Sequence, residues 1–257
     1  MISTMEPNKR KNETLAFCLG ILLVGVLIQT AGWLKGDRLV FPDVGEILAA
    51  FVRLLGRGKV WTQIGTTLLH LAEALLVSSV IGTGLGLIQG WSPFVRTLLR
   101  PLMILLRSIP MIVMTVIIMV LTRYEHVPLI ATSLMLIPLI SEATCEGFLR
   151  IDPELIDVYR MNSGFTLRVL FRVYLPLMAG YLKQAYVNAV GMGIKLAVTT
   201  EYLVQARDSL GKAVYSSSYF NNYEEVYAYA LVMILLAVLV SAVPRWIGKA
   251  YRKSRPL

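Results

Sequence analysis

The sequence has few charged residues, only two cysteines and only two histidines. Only 16% of its 257 residues are charged and 56% are hydrophobic, whereas about 25% of a soluble domain is charged. Its two cysteines, Cys18 and Cys145, each lie inside an apolar run, so neither a disulfide framework nor a CxxC metal pair is available. The low charge and the high hydrophobic content indicate an integral membrane protein.

The motifs of common ATP-binding and catalytic sites are absent as well. The sequence contains no GxxxxGK[ST] phosphate loop, no HExxH zinc motif and no GxSxG nucleophile turn. Its two histidines, His70 and His126, are too isolated to predict a metal site. We therefore expect no enzymatic activity, no ATP site and no bound cofactor in this chain.

Long apolar segments predict an all-α membrane protein with six transmembrane helices. A helix crosses the hydrocarbon core with about 20 mostly apolar residues. The membrane domain then covers residues 15–247, between a short N-terminal segment, residues 1–14, and a basic tail, residues 248–257. The predicted spans are residues 15–33, 66–90, 101–121, 127–148, 177–202 and 226–246.

The distribution of basic residues predicts the orientation of these helices. The net charge of +9 would also suit a nucleic-acid-binding protein, but the basic residues flank the apolar runs, so no nucleic-acid partner is expected. One side of the predicted bundle carries fourteen lysines and arginines and the other side eight. The positive-inside rule places both termini on the cytoplasmic side.

A charged segment, residues 149–176, separates the fourth and fifth predicted spans. This segment carries too many charged residues to be a membrane span. Its apolar residues recur at helical spacing, which a simple linker would not require. We interpret it as a short helix pair at the cytoplasmic face that contacts a soluble partner. Its arginines are Arg150, Arg160, Arg168 and Arg172, and its acidic residues are Asp152, Glu154 and Asp157.

A short amphipathic helix is predicted between the first two spans. In VGEILAAFVRLLGRGK, which starts at Val44, the apolar residues recur at helical spacing, and Gly56 and Gly58 favour a helix end. We expect this helix to lie at the outer interface. It serves there either as a surface for an external protein or as a topological spacer.

Glycines at every fourth position mark one face of the second predicted span. Gly82, Gly86 and Gly90 share this face, and small residues at such spacing allow two membrane helices to approach closely. The GTGLG run superficially resembles a dinucleotide-binding turn, but it lies inside a span. Helix packing is the preferred interpretation.

Ionisable residues inside the predicted spans are candidates for a translocation path. They are costly in lipid, so they should face the bundle interior, a partner subunit or water. Glu142 and Glu146 share one helix face, and we expect an ion pair with Arg107 or with a lysine of the fifth span rather than a catalytic dyad. The candidates are His70, Glu73, Arg107, Glu142, Lys195 and Glu201, together with Pro110.

Prolines inside predicted spans indicate kinked helices. Pro110 follows Arg107, Ser108 and Ile109 in the third span, and Pro138 lies in the fourth. A proline frees carbonyl groups that must be satisfied within the bundle. Kinked spans suit a path that opens alternately to two sides, although static bundles contain them too.

Several of these segments together resemble a known family. The runs DPEL at residues 152–155, RSIP at residues 107–110 and the pair Thr200-Glu201 followed by SLG at residues 209–211 are similar to motifs of the permeases of binding-protein-dependent ABC importers. The resemblance covers residues 41–211 approximately. Within the family, the chain looks like the subgroup that serves nitrate, sulfonate and taurine.

This resemblance implies a type I ABC importer permease fold in a bacterial plasma membrane. It makes residues 149–176 a cytoplasmic coupling-helix loop. The implied partners are two ABC ATPase subunits, which would bind ATP and Mg, an extracytoplasmic solute-binding protein and a second permease chain, giving a homodimer or a heterodimer. The implied ATPase-coupling residues are Asp152, Glu154, Asp157, Tyr159, Arg160, Ser163, Gly164, Arg168 and Arg172.

The coupling loop departs from the family pattern. Asp157 begins the three residues where the family has Glu-Ala-Ala, and Ser163 stands where it has glycine, with Gly164 one place later. His70 occupies a position where the family often has arginine. These departures suggest a divergent branch, so the solute of the best-known members is not assigned to this chain from the sequence.

Two other classes of function remain open from the residues alone. A secondary transporter or channel acting alone would use Glu142, Glu146, Lys195 and Glu201 as an ion or proton relay. An intramembrane hydrolase is the third class, and the sequence offers no catalytic constellation for it. Transport by the purified chain without an ATPase would favour the stand-alone transporter, whereas neighbouring genes for a phosphate-loop ATPase and a secreted binding protein would favour the importer.

Overall fold

The regular structure of the chain is helical throughout the part described here. The computed structural model describes residues 40–152, 154 and 169–253, with side chains to residue 242, and a few positions between residues 19 and 30. The helices are α1 (Val44–Leu55), α2 (Gly58–Trp91), α3 (Pro93–Ser108), α4 (Met111–Leu121), α5 (Val127–Leu149), α6 (Ala179–Val204), α7 (Leu210–Tyr219) and α8 (Tyr223–Lys253).

Three short helical turns complete these elements. A 3-10 turn, Tyr124–His126, leads into α5. A π-helical turn, Leu170–Tyr174, is followed by the helical turn Leu175–Leu177 and then by α6. The π-helical turn and the turn after it lead the chain into α6.

Three helices among the described residues are long and apolar enough to cross a membrane. They are α2, the segment Tyr124–Leu149 and the segment Tyr223–Ala242. These agree with the spans predicted at residues 66–90, 127–148 and 226–246. The bent pair α3 and α4 makes a fourth if it counts as one span. The span predicted at residues 15–33 lies largely outside the described residues, so six spans remain a prediction.

The third predicted span, residues 101–121, is not one continuous helix. α3 begins at Pro93 and ends at Ser108, α4 begins at Met111, and the two helices are bent by 101°. The break falls at Pro110, whose missing N–H and ring prevent the helix from continuing. Pro138, in contrast, lies inside α5, which runs on to Leu149.

The fifth predicted span, residues 177–202, forms α6 but is less apolar than the three clear spans. It carries Lys183, Lys195 and Glu201, and it is not among the helices with sufficient hydropathy. α6 is nevertheless central to the bundle, because it packs against α2, α5, α7 and α8. Among its charged residues, Glu201 is completely buried between these helices, whereas Lys183 and Lys195 are exposed.

The glycine face of α2, that is Gly82, Gly86 and Gly90, packs closely against α5. A Cβ atom added at Gly86 would lie 2.4 Å from the carbonyl oxygen of Ser141, and one at Gly90 would lie 2.7 Å from Cγ of Phe148. Only glycine permits this approach. The prediction of close helix packing is therefore confirmed.

The predicted amphipathic helix is present as α1 and is attached to α8. Ala50 and Leu54 of α1 lie in an apolar cluster with Ala228 and Val232 of α8. Arg53 of α1 forms an ion pair with Glu224 at 3.0 Å, and Arg57, just after α1, forms one with Glu225 at 2.7 Å. α1 is thus packed onto the start of the last helix, and its location at the outer interface stays a prediction.

Candidate translocation groove

α3 presents a basic face to α5. Arg96, Arg100 and Arg107 recur at spacings of four and seven residues, which places them on one side of the helix. No residue of α3 is buried, so these side chains are not packed into a core. The opposing face of α5 carries Glu142 and Glu146, both of which are exposed.

A groove of about 570 Å³ lies between these two faces. Its size is within the range of about 300–1,000 Å³ that is usual for sites that bind small molecules. Its charged lining residues are Arg96, Arg100, Arg107, Glu142 and Glu146, and Gln89, Thr97 and Ser108 add uncharged polar groups. Three helices, α2, α3 and α5, therefore contribute charged or polar side chains to one cavity.

An ion pair between Arg107 and Glu142 crosses this groove. Nη1 of Arg107 donates to Oε2 of Glu142, and each side chain is 53% exposed. The two opposite charges thus neutralise each other, and both side chains remain accessible from the cavity. The expected pairing of the α5 carboxylate with Arg107 is confirmed.

The bend between α3 and α4 lies directly beside this ion pair. Arg107 is in the last turn of α3, and Pro110 is the N-cap residue of α4. The amide of Ile109 still donates to the carbonyl of Leu105 at 3.1 Å, so α3 is hydrogen-bonded up to the bend. The groove therefore ends where the chain changes direction between α3 and α4.

A buried amide–hydroxyl pair supports the groove from the α2 side. Nε2 of Gln89 donates to Oγ of Ser141 at 2.9 Å, and the two residues are 6% and 0% exposed. Ser141 also faces Gly86 at the closest α2–α5 approach. The groove wall is thus continuous with the rigid contact between α2 and α5.

A second polar site is centred on Glu201 of α6, which is completely buried. Its Oε2 accepts from the hydroxyl of Thr67 at 2.8 Å and from the amide of Gly211 at 3.2 Å. Its Oε1 lies 2.8 Å from Nδ1 of His70. The Thr67 hydroxyl in turn accepts from the amide of Leu210 at 3.0 Å. This buried carboxylate joins α2, α6 and the start of α7.

Close packing fixes the geometry around this carboxylate. A Cβ atom at Gly211 would lie 2.5 Å from Cβ of Glu201 and 2.6 Å from the carbonyl oxygen of Val198. Ser209 caps α7 by accepting from the amide of Lys212 at 3.2 Å, and its hydroxyl donates to the carbonyl of Ala206 at 2.7 Å. The SLG run therefore forms a capped helix start that brings an amide to Glu201.

His70 also lines a cavity of about 460 Å³ at the junction of α6 and α7. The charged residues of this cavity are Arg123, Glu125, Arg207 and Lys212. Three basic side chains against one acidic side chain give it a positive character. The cavity is separate in its lining from the groove between α3 and α5.

The sequence-based candidates for a translocation path therefore fall in three places. Arg107 and Glu142 line the groove, with Pro110 at the adjacent bend. His70 and Glu201 belong to the buried site. Glu73 and Lys195 are exposed on α2 and α6 and line neither cavity.

Sequence reasoning missed several residues of both sites. Arg96 and Arg100 are not among the predicted site residues, although their spacing with Arg107 is helical and marks one face of α3. Thr67 is not among them either. Its contact with Glu201 joins residues 134 positions apart, which no local pattern reveals.

Residues 82–254 match the family described as the inner membrane component of binding-protein-dependent transport systems. The chain belongs to this family. Its helical architecture and its charged groove fit an inner membrane transport component, which is a permease subunit of an ABC importer. Such an importer works with an ATPase subunit and a binding protein, and the permease family itself carries no ATPase.

Curated relatives of this permease have low sequence identity to it, but the matches cover most of both proteins. A probable ABC transporter permease protein of Brucella melitensis is 23% identical over 197 residues, covering 75% of this chain and 80% of that protein. The glycine betaine transport system permease protein of Bacillus subtilis is 22% identical over 205 residues, covering 79% and 70%.

Two solved ABC importers share the fold. The inward-facing methionine transporter MetNI has a chain that matches with a TM-score of 0.62 and 19% identity, covering 77% of this permease and 96% of that chain. A bacterial transporter involved in the import of the acidic polysaccharide alginate matches with a TM-score of 0.66 and 14% identity, covering 95% and 97%.

Only part of the predicted coupling loop of this permease is described. Asp152 is exposed, and its Oδ1 accepts from the amide of Glu154 at 3.0 Å. Arg172 is exposed in the π-helical turn. The other predicted coupling residues lie outside the described residues, and these are Asp157, Tyr159, Arg160, Ser163, Gly164 and Arg168.

Proposed function

We propose that two copies of this permease form a solute pathway across the bacterial plasma membrane. Both termini and residues 149–176 lie in the cytoplasm, where two ATPase subunits with bound ATP and Mg contact the loop. A solute-binding protein delivers the cargo at the opposite face. The charge distribution of the sequence supports this orientation, with fourteen basic residues on the cytoplasmic side against eight outside.

The groove between α3 and α5 is the proposed solute path within each copy. The observation that carries this assignment is the ion pair of Arg107 with Glu142, in which both side chains remain 53% exposed. Charged groups within a membrane bundle face a partner or a water-filled cavity rather than lipid. ATP binding by the partner subunits would shift the population between states in which this groove faces opposite sides.

The proposed cargo is a small solute with an anionic group, as in the nitrate, sulfonate and taurine subgroup. Three arginines line the groove against two glutamates. One glutamate, Glu142, is already paired with Arg107, so the acidic pair on α5 does not favour a cationic cargo. The named relatives serve cargoes as different as glycine betaine, methionine and alginate, so the family by itself leaves the solute open.

A thermal-shift screen of the cognate binding protein tests the cargo class. The set should contain nitrate, taurine, a short alkanesulfonate, glycine betaine and lysine. We expect the anionic or sulfonate-bearing solutes to raise the melting temperature, because a bound ligand stabilises the folded state by mass action. Stabilisation by lysine alone would show that the proposed cargo class is wrong.

Reconstitution then tests the importer mechanism. The stabilising solute should enter proteoliposomes only when the permease, the ATPase, the binding protein and ATP with Mg are all present. Omission of the ATPase is the essential control. Uptake by the purified permease alone would indicate a stand-alone transporter and contradict the proposal.

A further inference from the structure

The two ends of the predicted coupling loop meet in one apolar cluster. Ile151 at one end and Tyr174 at the other are 7% and 4% exposed, and Met178 is fully buried. These three residues pack together with Phe148 from the end of α5. We call Phe148, Ile151, Tyr174 and Met178 the loop-base cluster.

A stacked aromatic pair lies at the centre of the loop-base cluster. The rings of Phe148 and Tyr174 are 5.3 Å apart between centroids and only 5° from parallel. The ring of Trp91, at the end of α2, lies 6.2 Å from that of Phe148 at an angle of 57°. Aromatic pairs of this kind contribute about 0.5–1.5 kcal/mol beyond their buried area.

The Phe148 ring has little freedom to move independently of α2. A Cβ atom at Gly90 would lie 2.7 Å from Cγ of Phe148, so the ring rests directly on the α2 backbone. On its other side it faces Tyr174. A displacement of Tyr174 must therefore move Phe148 together with the end of α5, since close-packed side chains transmit displacement rather than absorb it.

Residues next to the loop-base cluster also contact α6. A Cβ atom at Gly147 would lie 3.1 Å from Cβ of Tyr181, and the guanidinium of Arg150 lies 5.8 Å from the Tyr181 ring centroid. The amide of Met178 donates to the carbonyl of Tyr174 at 3.0 Å. The return of the loop is thus coupled to α5 and α6 as well as to α2.

We propose that the stack of Phe148 on Tyr174 positions α5 in response to movement of the coupling loop, and thereby changes the groove. Cys145, which lines the groove, is three residues before Phe148, about one helical turn away. Movement of the Phe148 ring therefore acts on the same turn of α5 that forms the groove wall. This inference rests on the proposed function, in which residues 149–176 contact the ATPase.

The reactivity of Cys145 offers a readout that needs no knowledge of the cargo. Cys145 is 6% exposed and lies in the groove. The assembled importer, with Cys18→Ser to remove the other thiol, is treated with N-ethylmaleimide with and without ATP and Mg. Coupling between distant sites commonly amounts to about 5–150-fold, so we expect ATP to change the labelling rate at least about fivefold.

Substitutions at Tyr174 then isolate the stack. Tyr174→Leu keeps an apolar side chain but removes the ring, and should abolish the effect of ATP on labelling while the ATPase still co-purifies. Tyr174→Phe keeps the ring and should retain the effect. Phe148→Leu should match Tyr174→Leu, and the double variant should be no worse than either, because the two rings act as one unit.

Leu182→Ala is the matched control, because Leu182 packs against the loop-base cluster without belonging to the stack. It should lower the melting temperature yet preserve the response to ATP. An ATP response in Tyr174→Leu equal to that of the starting protein would overturn the inference alone. A starting protein that binds the ATPase but shows no ATP response of Cys145 would instead contradict the proposed function, and the inference with it.

Discussion

Nδ1 of His70 on α2 lies 2.8 Å from Oε1 of Glu201 on α6, and the glutamate is completely buried. The other carboxylate oxygen is occupied by the Thr67 hydroxyl and the Gly211 amide. Burying a carboxylate is costly unless it is hydrogen-bonded, and both oxygens of Glu201 have hydrogen-bond partners. Glu201 is therefore a tie, meaning that its hydrogen bonds connect α6 with α2 and with the start of α7.

Glu201→Ala should destabilise the permease strongly. The substitution leaves the buried Thr67 hydroxyl and Gly211 amide without their acceptor, and unpaired groups of this kind cost about 1–3 kcal/mol each. We expect the free energy of unfolding to fall by about 2–5 kcal/mol, measured by denaturant titration in detergent micelles.

Glu73→Ala is the control for this substitution, since Glu73 is exposed on α2. Its effect should remain within about 0.5 kcal/mol. Equal stability of Glu201→Ala and Glu73→Ala would contradict the assignment of Glu201 as a tie.

The glycine face of α2 provides a second prediction, with its control on the same helix. A Cβ at Gly86 would lie 2.4 Å from the Ser141 carbonyl oxygen, whereas one at Gly84 would meet nothing within 4 Å. Gly86→Ala should therefore cost about 1–3 kcal/mol through overpacking. Gly84→Ala should be neutral or stabilising, because alanine favours a helix by up to about 1 kcal/mol over glycine. The order of melting temperatures in micelles checks both, and a reversed order would rule out the proposed contact.

Features that depend on one helix at a time could be predicted from the sequence. The apolar spans that became α2, α5 and α8 are visible as runs of the right length, and small residues at a spacing of four mark the face of α2 that packs closely on a neighbour. These are local properties of composition and period. The sequence did not identify α5 as that neighbour, and it left either Arg107 or a lysine of the fifth span as the partner of the α5 carboxylates, of which the structure shows Arg107 with Glu142.

Features that depend on two distant segments could not be predicted in the same way. The bend at Pro110 was expected only as a kink, because a proline signal does not specify an angle of 101° between α3 and α4. α3 begins before the apolar run because its Arg96 and Arg100 face a groove rather than lipid. The tie at Glu201 depends on a partner 134 residues away, Thr67.

The ion pair across the groove leads to a charge-reversal prediction. Arg107→Glu places two carboxylates against each other, and an opposed like-charge pair costs several kcal/mol. We expect uptake into proteoliposomes to fall at least about tenfold, which corresponds to about 1.4 kcal/mol. The double variant Arg107→Glu/Glu142→Arg restores opposite charges and should recover most of this loss.

A surface ion pair supplies the control for charge reversal. Arg123 and Glu125 are 3.6 Å apart and are 83% and 66% exposed, so Arg123→Glu should leave uptake nearly unchanged. If the double variant were as inactive as Arg107→Glu, the pair would not act as a unit and one of the two residues would have a separate role.

Arg172 provides the test of ATPase contact at the predicted coupling loop. It is exposed in the π-helical turn, two residues before Tyr174, which is buried in the loop-base cluster. Arg172→Glu should therefore leave the fold and melting temperature intact while reducing co-purification of the ATPase at least about tenfold, since reversing one charge at a polar interface costs more than about 1.4 kcal/mol. Arg207→Glu, an exposed reversal at the junction of α6 and α7, should leave co-purification unchanged. Undiminished ATPase binding by Arg172→Glu, or an equal loss in both variants, would remove this turn from the contact surface.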